Sequence, residues 1–242
     1  MSLLQRKPRP ILARDKVESA LRDDRLFIIA CDDTYAPKQY FSFFRLPRVQ
    51  VHVVETVDGT SSPGHVLDRL LNYEHEEDDE RWMLLDTDHL TQGTHLRGLM
   101  RALQDAERAG VSIALSKPCF ELWLLLHHCD TESVTTLTDA TEVEATLRDL
   151  LGTYNKSKLK PANFPAELVA AACNRAELLD ATDSGGLIPN VNTSRVYLLW
   201  RAIILKSLPT QLPLGLHGLV KRYTTVANQQ DPQTEVNGSS EI

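Results

Sequence analysis

The sequence predicts an α/β fold: a mainly parallel sheet of about four strands flanked by helices, with a helical C-terminal part. Four apolar runs rich in β-forming residues, at residues 27–31, 49–57, 82–85 and 111–115, alternate with stretches of helical periodicity. Strands that alternate with helices are joined by right-handed crossovers and lie parallel in one sheet. Helices are therefore expected on both faces of this sheet.

Helix start and stop signals support the alternation. Ser62 and Pro63 suit the first positions of a helix, and another helical pattern begins at Thr94 and ends at Gly110. Residues 35–45 predict a helix with one aromatic face, formed by Tyr40, Phe41, Phe43 and Phe44, that packs into the core rather than offering a base-stacking surface.

The rest of the chain is predicted to be helical. Residues 142–154 carry apolar side chains on one face, and a further helix opens at Pro165. Thr193 and Ser194 are expected to cap the last apolar helix. Residues 224–242 are rich in Gln, Asn, Ser and Gly, which predicts a disordered tail.

Composition limits the class of protein. With 242 residues, 42% of them hydrophobic, the chain can bury a substantial core. It has no apolar run of the roughly 18 residues that a membrane span requires and no apolar signal region, so a cytoplasmic protein with no membrane association is expected. The four cysteines lack Cys-x-x-Cys spacing, which favours reduced thiols over zinc ligands or disulfides.

Charge argues against binding of nucleic acid over the whole surface. The net charge is −7, whereas affinity for a polyanion depends on clustered Lys and Arg. Basic residues do cluster locally, in the arm formed by residues 1–25 and at Lys156, Lys158 and Lys160.

Two aspartates separated by one residue end the third apolar run. Asp86 and Asp88 follow residues 82–85, and alternation along an extended backbone places both side chains on one side. Their carboxylates are the ligand type that Mg²⁺ prefers. The pair by itself also fits a helix cap followed by a loop acid, so both interpretations stay open.

Other polar residues also fall at predicted strand ends. Asp32 and Asp33 follow the first apolar run, and Ser116 follows the fourth. In a parallel sheet ligands gather at the carboxyl ends of the strands, so these residues are expected near Asp86 and Asp88. Their mutual repulsion would then have to be offset by a cation.

The most distinctive segment is residues 116–128, which read Ser-Lys-Pro-Cys-Phe-Glu-Leu-Trp-Leu-Leu-Leu-His-His. Pro118 can open a helix with Glu121 in its first turn. Glu121 is then either an ordinary acid of a helix terminus or a further acid facing the strand-end edge. His127 and His128 resemble a zinc pair only superficially, because adjacent residues diverge on a helix.

These motifs resemble the RloB family of bacterial proteins. Its pattern has Asp-x-Asp followed by Ser-Asn-Pro-x-Phe-Glu-x-Trp-Leu-Leu, and residues 86–88 and 116–125 are similar to it. The resemblance covers roughly residues 27–202. Residues 154–156 are similar to a Tyr-x-Lys element, and residues 190–197 resemble a terminal Asn-Pro-Ser-Thr-x-Val segment.

The resemblance implies a Toprim-like, Rossmann-related α/β domain at residues 26–129, with a helical region at residues 130–223 packed on it. It further implies a place in antiviral defence against phage, including abortive infection, beside an ATPase partner. Because no phosphate-binding Gly-x-x-x-x-Gly-Lys-Ser/Thr run occurs in this sequence, ATP hydrolysis is expected from that partner.

Toprim nucleases hold Mg²⁺ or Mn²⁺ with a first-strand glutamate and an Asp-x-Asp. Carried over by position, Asp86 and Asp88 fit the Asp-x-Asp. The first-strand site does not match cleanly, because the family has Cys-Glu-Gly-Glu there and this chain has Cys-Asp-Asp-Thr. Asp32, one methylene shorter than glutamate, is expected to reach the metal in the glutamate's place, or Asp33 to supply the missing charge from the neighbouring position.

The leading hypothesis is a metal-dependent nuclease acting on DNA or on RNA such as tRNA. Asp32 or Asp33 would position or deprotonate the attacking water, Glu121 would complete the charge arrangement, and Lys156 would neutralise the phosphate or donate a proton. The shortened acid at position 32 leaves three outcomes open: an active enzyme with aspartate in the glutamate's role, a slow enzyme, or a catalytically degraded module that binds a partner protein or nucleic acid.

Overall fold

The structure is a computed structural model that describes residues 25–56, 60–88, 90, 93–184 and 186–230. The predicted N-terminal arm lies outside the described residues apart from Arg25. Of the predicted tail, residues 224–230 belong to the last helix and residues 231–242 lie outside the described part.

The sheet confirms the predicted α/β class and contains five strands in the described part of the chain. They are β1 (Arg25–Cys31), β2 (Val49–Val54), β3 (Glu80–Asp86), β4 (Ser112–Lys117) and β5 (Thr193–Ser194). Their order is β2-β1-β3-β4-β5. The first four strands are parallel, whereas β5 pairs antiparallel with the end of β4.

Helices connect the strands and form the C-terminal part. They are α1 (Tyr35–Phe41), α2 (Pro63–Leu71), α3 (Gly93–Arg108), α4 (Phe120–Leu125), α5 (Thr131–Thr135), α6 (Ala140–Leu151), α7 (Ala166–Ala181), α8 (Val196–Lys206) and α9 (His217–Gln230). Short 3-10 turns lie at Pro161–Asn163, Pro209–Gln211 and Leu214–Leu216. None of the helices in the described ranges combines the length and apolar character needed to span a bilayer.

One face of the sheet is covered by α2 and α3. Alternate residues of β1, such as Ile28 and Ala30, point to this face and pack with apolar side chains of the two helices. As predicted, Pro63 is the first residue of α2, and the Ser62 side chain accepts a hydrogen bond from the His65 backbone. Gly110 follows α3 with a positive φ of 66°.

The opposite face carries the larger core. Phe27, Ile29 and Cys31 of β1 pack into a cluster that includes side chains of α1, α4 and α6 to α9. The predicted core role of the α1 aromatics is confirmed for Tyr40, which is fully buried and contacts the rings of Phe41 and Trp200. Residues 26–129 and 130–223 therefore share one hydrophobic core.

Three local expectations were wrong. Helix α1 ends at Phe41, not Arg45, because the chain turns through Arg48, with φ 62°, to enter β2. Pro118 does not open α4, which begins two residues later. Thr193 and Ser194 do not cap α8, because their backbones pair with β4 as strand β5.

The four cysteines are free thiols, as predicted from their spacing. His127 and His128 form no zinc pair: His127 is buried, and its Nε2 lies 3.1 Å from the Tyr40 hydroxyl while its Nδ1 lies 2.9 Å from the Trp123 carbonyl. Burial lowers the pKa of His127 to about 3, so this imidazole is neutral in the core.

Candidate functional site

Two aspartates directly follow β1. The Asp32 carboxylate accepts one hydrogen bond from the Asp33 backbone N–H, at 2.9 Å, and another from the Asp86 backbone N–H, at 3.0 Å. The second bond joins the ends of β1 and β3. Asp33 in turn accepts a hydrogen bond from the Tyr35 backbone N–H at 2.9 Å.

Asp86 is the last residue of β3, and Asp88 lies in the turn that follows. This turn is held by the chain after β4, because the Pro118 carbonyl accepts hydrogen bonds from the backbone N–H groups of Thr87 (3.0 Å) and Asp88 (3.1 Å). The neighbouring position, His89, lies outside the described residues. The conformation of the Asp-x-Asp segment is therefore set by the Ser-Lys-Pro segment, about thirty residues away in sequence.

Helix α4 brings Glu121 to the same edge of the sheet. The helix begins at Phe120, whose backbone N–H donates to the Asp86 carboxylate. Glu121 is only 6% exposed, and it accepts hydrogen bonds from the Tyr154 hydroxyl, at 2.6 Å, and from the Cys119 thiol. Glu121 thus faces the strand-end edge, as the second of the two predicted alternatives requires.

The loop after α6 supplies the basic group. The Lys156 Nζ lies 2.5 Å from an Asp33 carboxylate oxygen, and this hydrogen bond raises the pKa of Lys156. Tyr154 and Lys156, two residues apart, therefore reach different acids: Tyr154 reaches Glu121 and Lys156 reaches Asp33.

All six residues predicted for the site line one cavity of about 550 Å³. Its lining comprises Asp32, Asp33, Thr34, Tyr35, Thr56, Ser61, Asp86, Asp88, Cys119, Glu121, Ala140, Glu144 and Lys156. Ser116, also predicted at this edge, instead contacts β5, where its hydroxyl lies 2.8 Å from that of Ser194.

Burial and mutual repulsion make the site costly when its acids are ionised. Burial raises the pKa of Asp32 to about 6, against its ordinary value of 3.8. The pKa of Asp86 is raised well above 3.8 by burial and then by the charges of Asp32, Glu121 and Asp88. Burial also raises the pKa of Glu121, despite its hydrogen bond from Tyr154.

The donor set suits a hard divalent cation held partly by water. Within the described ranges no three His, Cys, Asp or Glu side chains already stand at ligand spacing. Mg²⁺ does not require such a cage, since it keeps several waters and is held in proteins by one or two carboxylates plus substrate phosphate. Asp86 and Asp88, with Asp32 and Glu121 on the same cavity wall, match that requirement, and a cation would offset their repulsion.

The sequence did not indicate two residues that line the cavity, Tyr35 and Glu144, or Tyr154, which contacts the lining residue Glu121. Glu144 lines the cavity from α6, Tyr154 orients Glu121, and Tyr35 stands at the lining with 60% of its surface exposed. Tyr154 was noted only as part of the Tyr-x-Lys resemblance. Glu144 has no distinguishing local signal, because it is one of several acids on an amphipathic helix whose placement depends on tertiary packing.

Comparison with known proteins gives one match. A family model described as RloB-like protein matches residues 27–203, well over half of the chain, and this range contains all six predicted site residues. Searches of the curated proteins and of the solved structures found no match.

Proposed function

Because this chain belongs to the RloB-like family, we propose that it is a divalent-metal-dependent nuclease that hydrolyses phosphodiester bonds in DNA or RNA. The observation that supports this most strongly is the cavity at the carboxyl ends of β1 and β3, where six acidic side chains and one lysine meet. Acids with raised pKa values in a shared cleft are typical of functional sites.

In this proposal Asp86 and Asp88 would hold the Mg²⁺ or Mn²⁺ ion, with Asp32 as a further ligand. When bound, the ion would activate water and stabilise negative charge on the scissile phosphate. Backbone N–H groups fix the acids in place: that of Phe120 donates to Asp86 and that of Asp86 donates to Asp32. Such supporting bonds reduce the reorganisation needed during the reaction.

The remaining residues would act on protons and on phosphate charge. Asp32 or Asp33 would orient the attacking water and accept its proton. Lys156, which in this structure donates to Asp33, would neutralise a phosphate oxygen or donate a proton to the leaving group. Glu121, fixed by Tyr154, would complete the charge arrangement.

The biological setting is proposed from the family resemblance. The protein would act in cytoplasmic antiviral defence beside an ATPase, with tRNA or DNA as the nucleic acid cleaved. A resting nuclease held in check by its partner would agree with a role in abortive infection.

One observation favours a second candidate, a degraded module that binds a partner protein or nucleic acid. Both carboxylate oxygens of Asp32 already accept backbone hydrogen bonds, and Asp33 is paired with Lys156. In that arrangement the acids could serve the structure of the β1–β3 junction rather than catalysis.

Purified protein incubated with tRNA, plasmid and single-stranded DNA in Mn²⁺ or Mg²⁺ separates the two candidates. The nuclease predicts cleavage that EDTA abolishes and that Asp86→Asn reduces by at least about 100-fold. Asp68→Asn, an exposed aspartate on α2, is the matched control and should cleave like the wild type. If no cleavage occurs even with the neighbouring ATPase present, the binding module is favoured instead.

A further inference from the structure

Tyr35 stands apart from the other aromatic residues of α1. It is the first residue of the helix, is 60% exposed and lines the acidic cavity, whereas Tyr40 and Phe41 are buried in the core. The Tyr35 backbone is fixed at the cavity, because its N–H donates a hydrogen bond to the Asp33 carboxylate at 2.9 Å. The Tyr35 ring therefore lies at the cavity wall and does not pack into the hydrophobic core.

The Tyr35 ring also adjoins the basic group of the site. The Lys156 Nζ lies 5.9 Å from the ring centroid and 2.5 Å from the Asp33 carboxylate. This nitrogen lies over one face of the ring, so the aromatic ring, the cation and the Asp33 carboxylate are adjacent at the cavity wall. A nucleotide presents a matching series of groups: a flat base, then a phosphate that a lysine can neutralise.

On the basis of the proposed function, we propose that Tyr35 stacks on a base of single-stranded nucleic acid whose adjacent phosphate is bound by Lys156. Aromatic rings stack on bases with little dependence on sequence, because every base has a π-face. Tyr35 would accordingly determine the class of substrate, a strand with an accessible base, rather than a base sequence.

A duplex does not suit this arrangement. Inside a duplex both faces of each base are covered by neighbouring pairs, so an enzyme reaches them only after unstacking. The cavity also carries six acids against one lysine, and the chain has a net charge of −7, which disfavours a second phosphate backbone nearby. A single-stranded DNA segment and a single-stranded RNA loop both satisfy the chemistry.

Binding of fluorescein-labelled oligonucleotides tests the proposal directly. Twelve-nucleotide single strands of DNA and RNA, and the matching duplexes, are titrated in Ca²⁺ by fluorescence anisotropy while a gel confirms that they stay intact. Tyr35→Ala is expected to weaken single-strand binding by about tenfold, the cost of losing one stacked base. Tyr35→Phe keeps the aromatic ring and should bind single strands like the wild type. Duplex binding should be weak and insensitive to Tyr35→Ala.

A Tyr35→Trp variant gives a second readout. The natural tryptophans are at most 6% exposed, so a new indole at position 35 would dominate solvent-sensitive emission. Adding unlabelled single strand should quench this emission. Leu178→Trp is the matched control, since Leu178 is 63% exposed and does not line the cavity, and its emission should not change.

The outcomes distinguish this inference from the proposed hydrolysis. Loss of single-strand binding in Tyr35→Ala supports stacking even if the wild type cleaves nothing in Mg²⁺ or Mn²⁺. Equal binding by the wild type and Tyr35→Ala overturns stacking even if the wild type is an active nuclease. Failure of the wild type to bind any single strand also overturns it.

Discussion

At the scale of single residues, Asp86 shows how a cluster of buried acids opposes stability. It is half-buried at the end of β3, and its carboxylate faces Asp32, Asp88 and Glu121 while accepting the Phe120 N–H. The hydrogen bond favours the ionised form, but burial and the neighbouring acids disfavour it and raise the pKa. Ionising Asp86 therefore costs folding free energy in this structure.

We expect Asp86→Asn to stabilise the metal-free protein at pH 7. Because the folded-state pKa of Asp86 is above its ordinary 3.8, the folded chain binds this proton more tightly than the unfolded chain. The protonated Asp86 carboxyl makes its full contribution to stability below about pH 4, and this contribution is lost as the pH rises through the folded-state pKa of Asp86. Asn keeps an acceptor for Phe120 without the charge. In EDTA at pH 7 the Tm should rise by about 3 °C, which corresponds to about 1 kcal/mol.

Two controls accompany this measurement. The advantage of Asp86→Asn should shrink as the pH approaches 4, and Asp68→Asn should leave the Tm unchanged. Mg²⁺ should raise the Tm of the wild type more than that of Asp86→Asn. A variant that is less stable than the wild type at pH 7 would show that the carboxylate is stabilising as it stands.

Tyr154→Phe is expected to weaken the proposed metal site without unfolding the protein. The change removes the hydrogen bond to Glu121 and leaves the ring in place. Glu121 lies beside the proposed ligand Asp86, and loss of a hydrogen bond among the groups around a metal's ligands typically costs about 10- to 100-fold in metal affinity or activity. Cleavage measured against Mn²⁺ concentration should therefore need about tenfold more metal.

The control for that measurement is Tyr73→Phe. The Tyr73 ring packs against His52, away from the cavity. Cleavage by Tyr73→Phe should therefore depend on Mn²⁺ concentration as cleavage by the wild type does. An unchanged Mn²⁺ dependence in Tyr154→Phe would show that the Tyr154–Glu121 hydrogen bond does not support the proposed metal site.

At the scale of elements, the loop after β4 explains why its motif accompanies the Asp-x-Asp segment. The Pro118 carbonyl accepts the N–H groups of Thr87 and Asp88, and Phe120 donates to Asp86. The two segments share one hydrogen-bond network although they are far apart in sequence. Strand β5 supports β4 from the other side, where Ser194 contacts Ser116.

Of two glycines in or next to α9, Gly215 is expected to tolerate substitution by alanine less well. A Cβ at position 215 would lie 2.6 Å from the backbone nitrogen of Glu167 and 2.9 Å from the carbonyl carbon of Ala166, at the start of α7. Because backbone cannot move aside cheaply, Gly215→Ala should cost about 1–3 kcal/mol of unfolding free energy in urea.

Gly218→Ala is the matched control. Gly218 lies in α9, and a Cβ there would meet nothing within 4 Å. Alanine favours helix over glycine, so stability should stay unchanged or rise slightly. Equal effects of the two substitutions would contradict the close approach of the turn at Leu214–Leu216 to α7.

At the scale of the whole molecule, the sheet and the C-terminal helices depend on a common core. Trp123 of α4 and Trp200 of α8 lie in one cluster with Phe27 and Ile29 of β1. The face of the sheet opposite α2 and α3 and the apolar faces of the C-terminal helices are therefore buried against each other.

We accordingly expect a single cooperative unfolding transition for the chain. Trp82, Trp123 and Trp200 report from β3, α4 and α8, while circular dichroism reports on all helices. In urea the two signals should give the same midpoint. Two separate transitions would show that residues 130–223 fold independently of the sheet.

The amino-acid sequence by itself determined the fold class, the parallel strands and their acidic ends. Period-two and 3.6-residue patterns, helix caps and the Asp-x-Asp spacing are local, so residues such as Asp32, Asp86 and Asp88 could be placed at strand ends directly. Tertiary structure alone decided strand β5, the support of Asp88 by Pro118, the place of Glu144 on the cavity wall, and the contacts of Tyr154 with Glu121 and of Lys156 with Asp33. These features arise from contacts between distant segments, whose geometry depends on how the shared core packs and not on any local pattern.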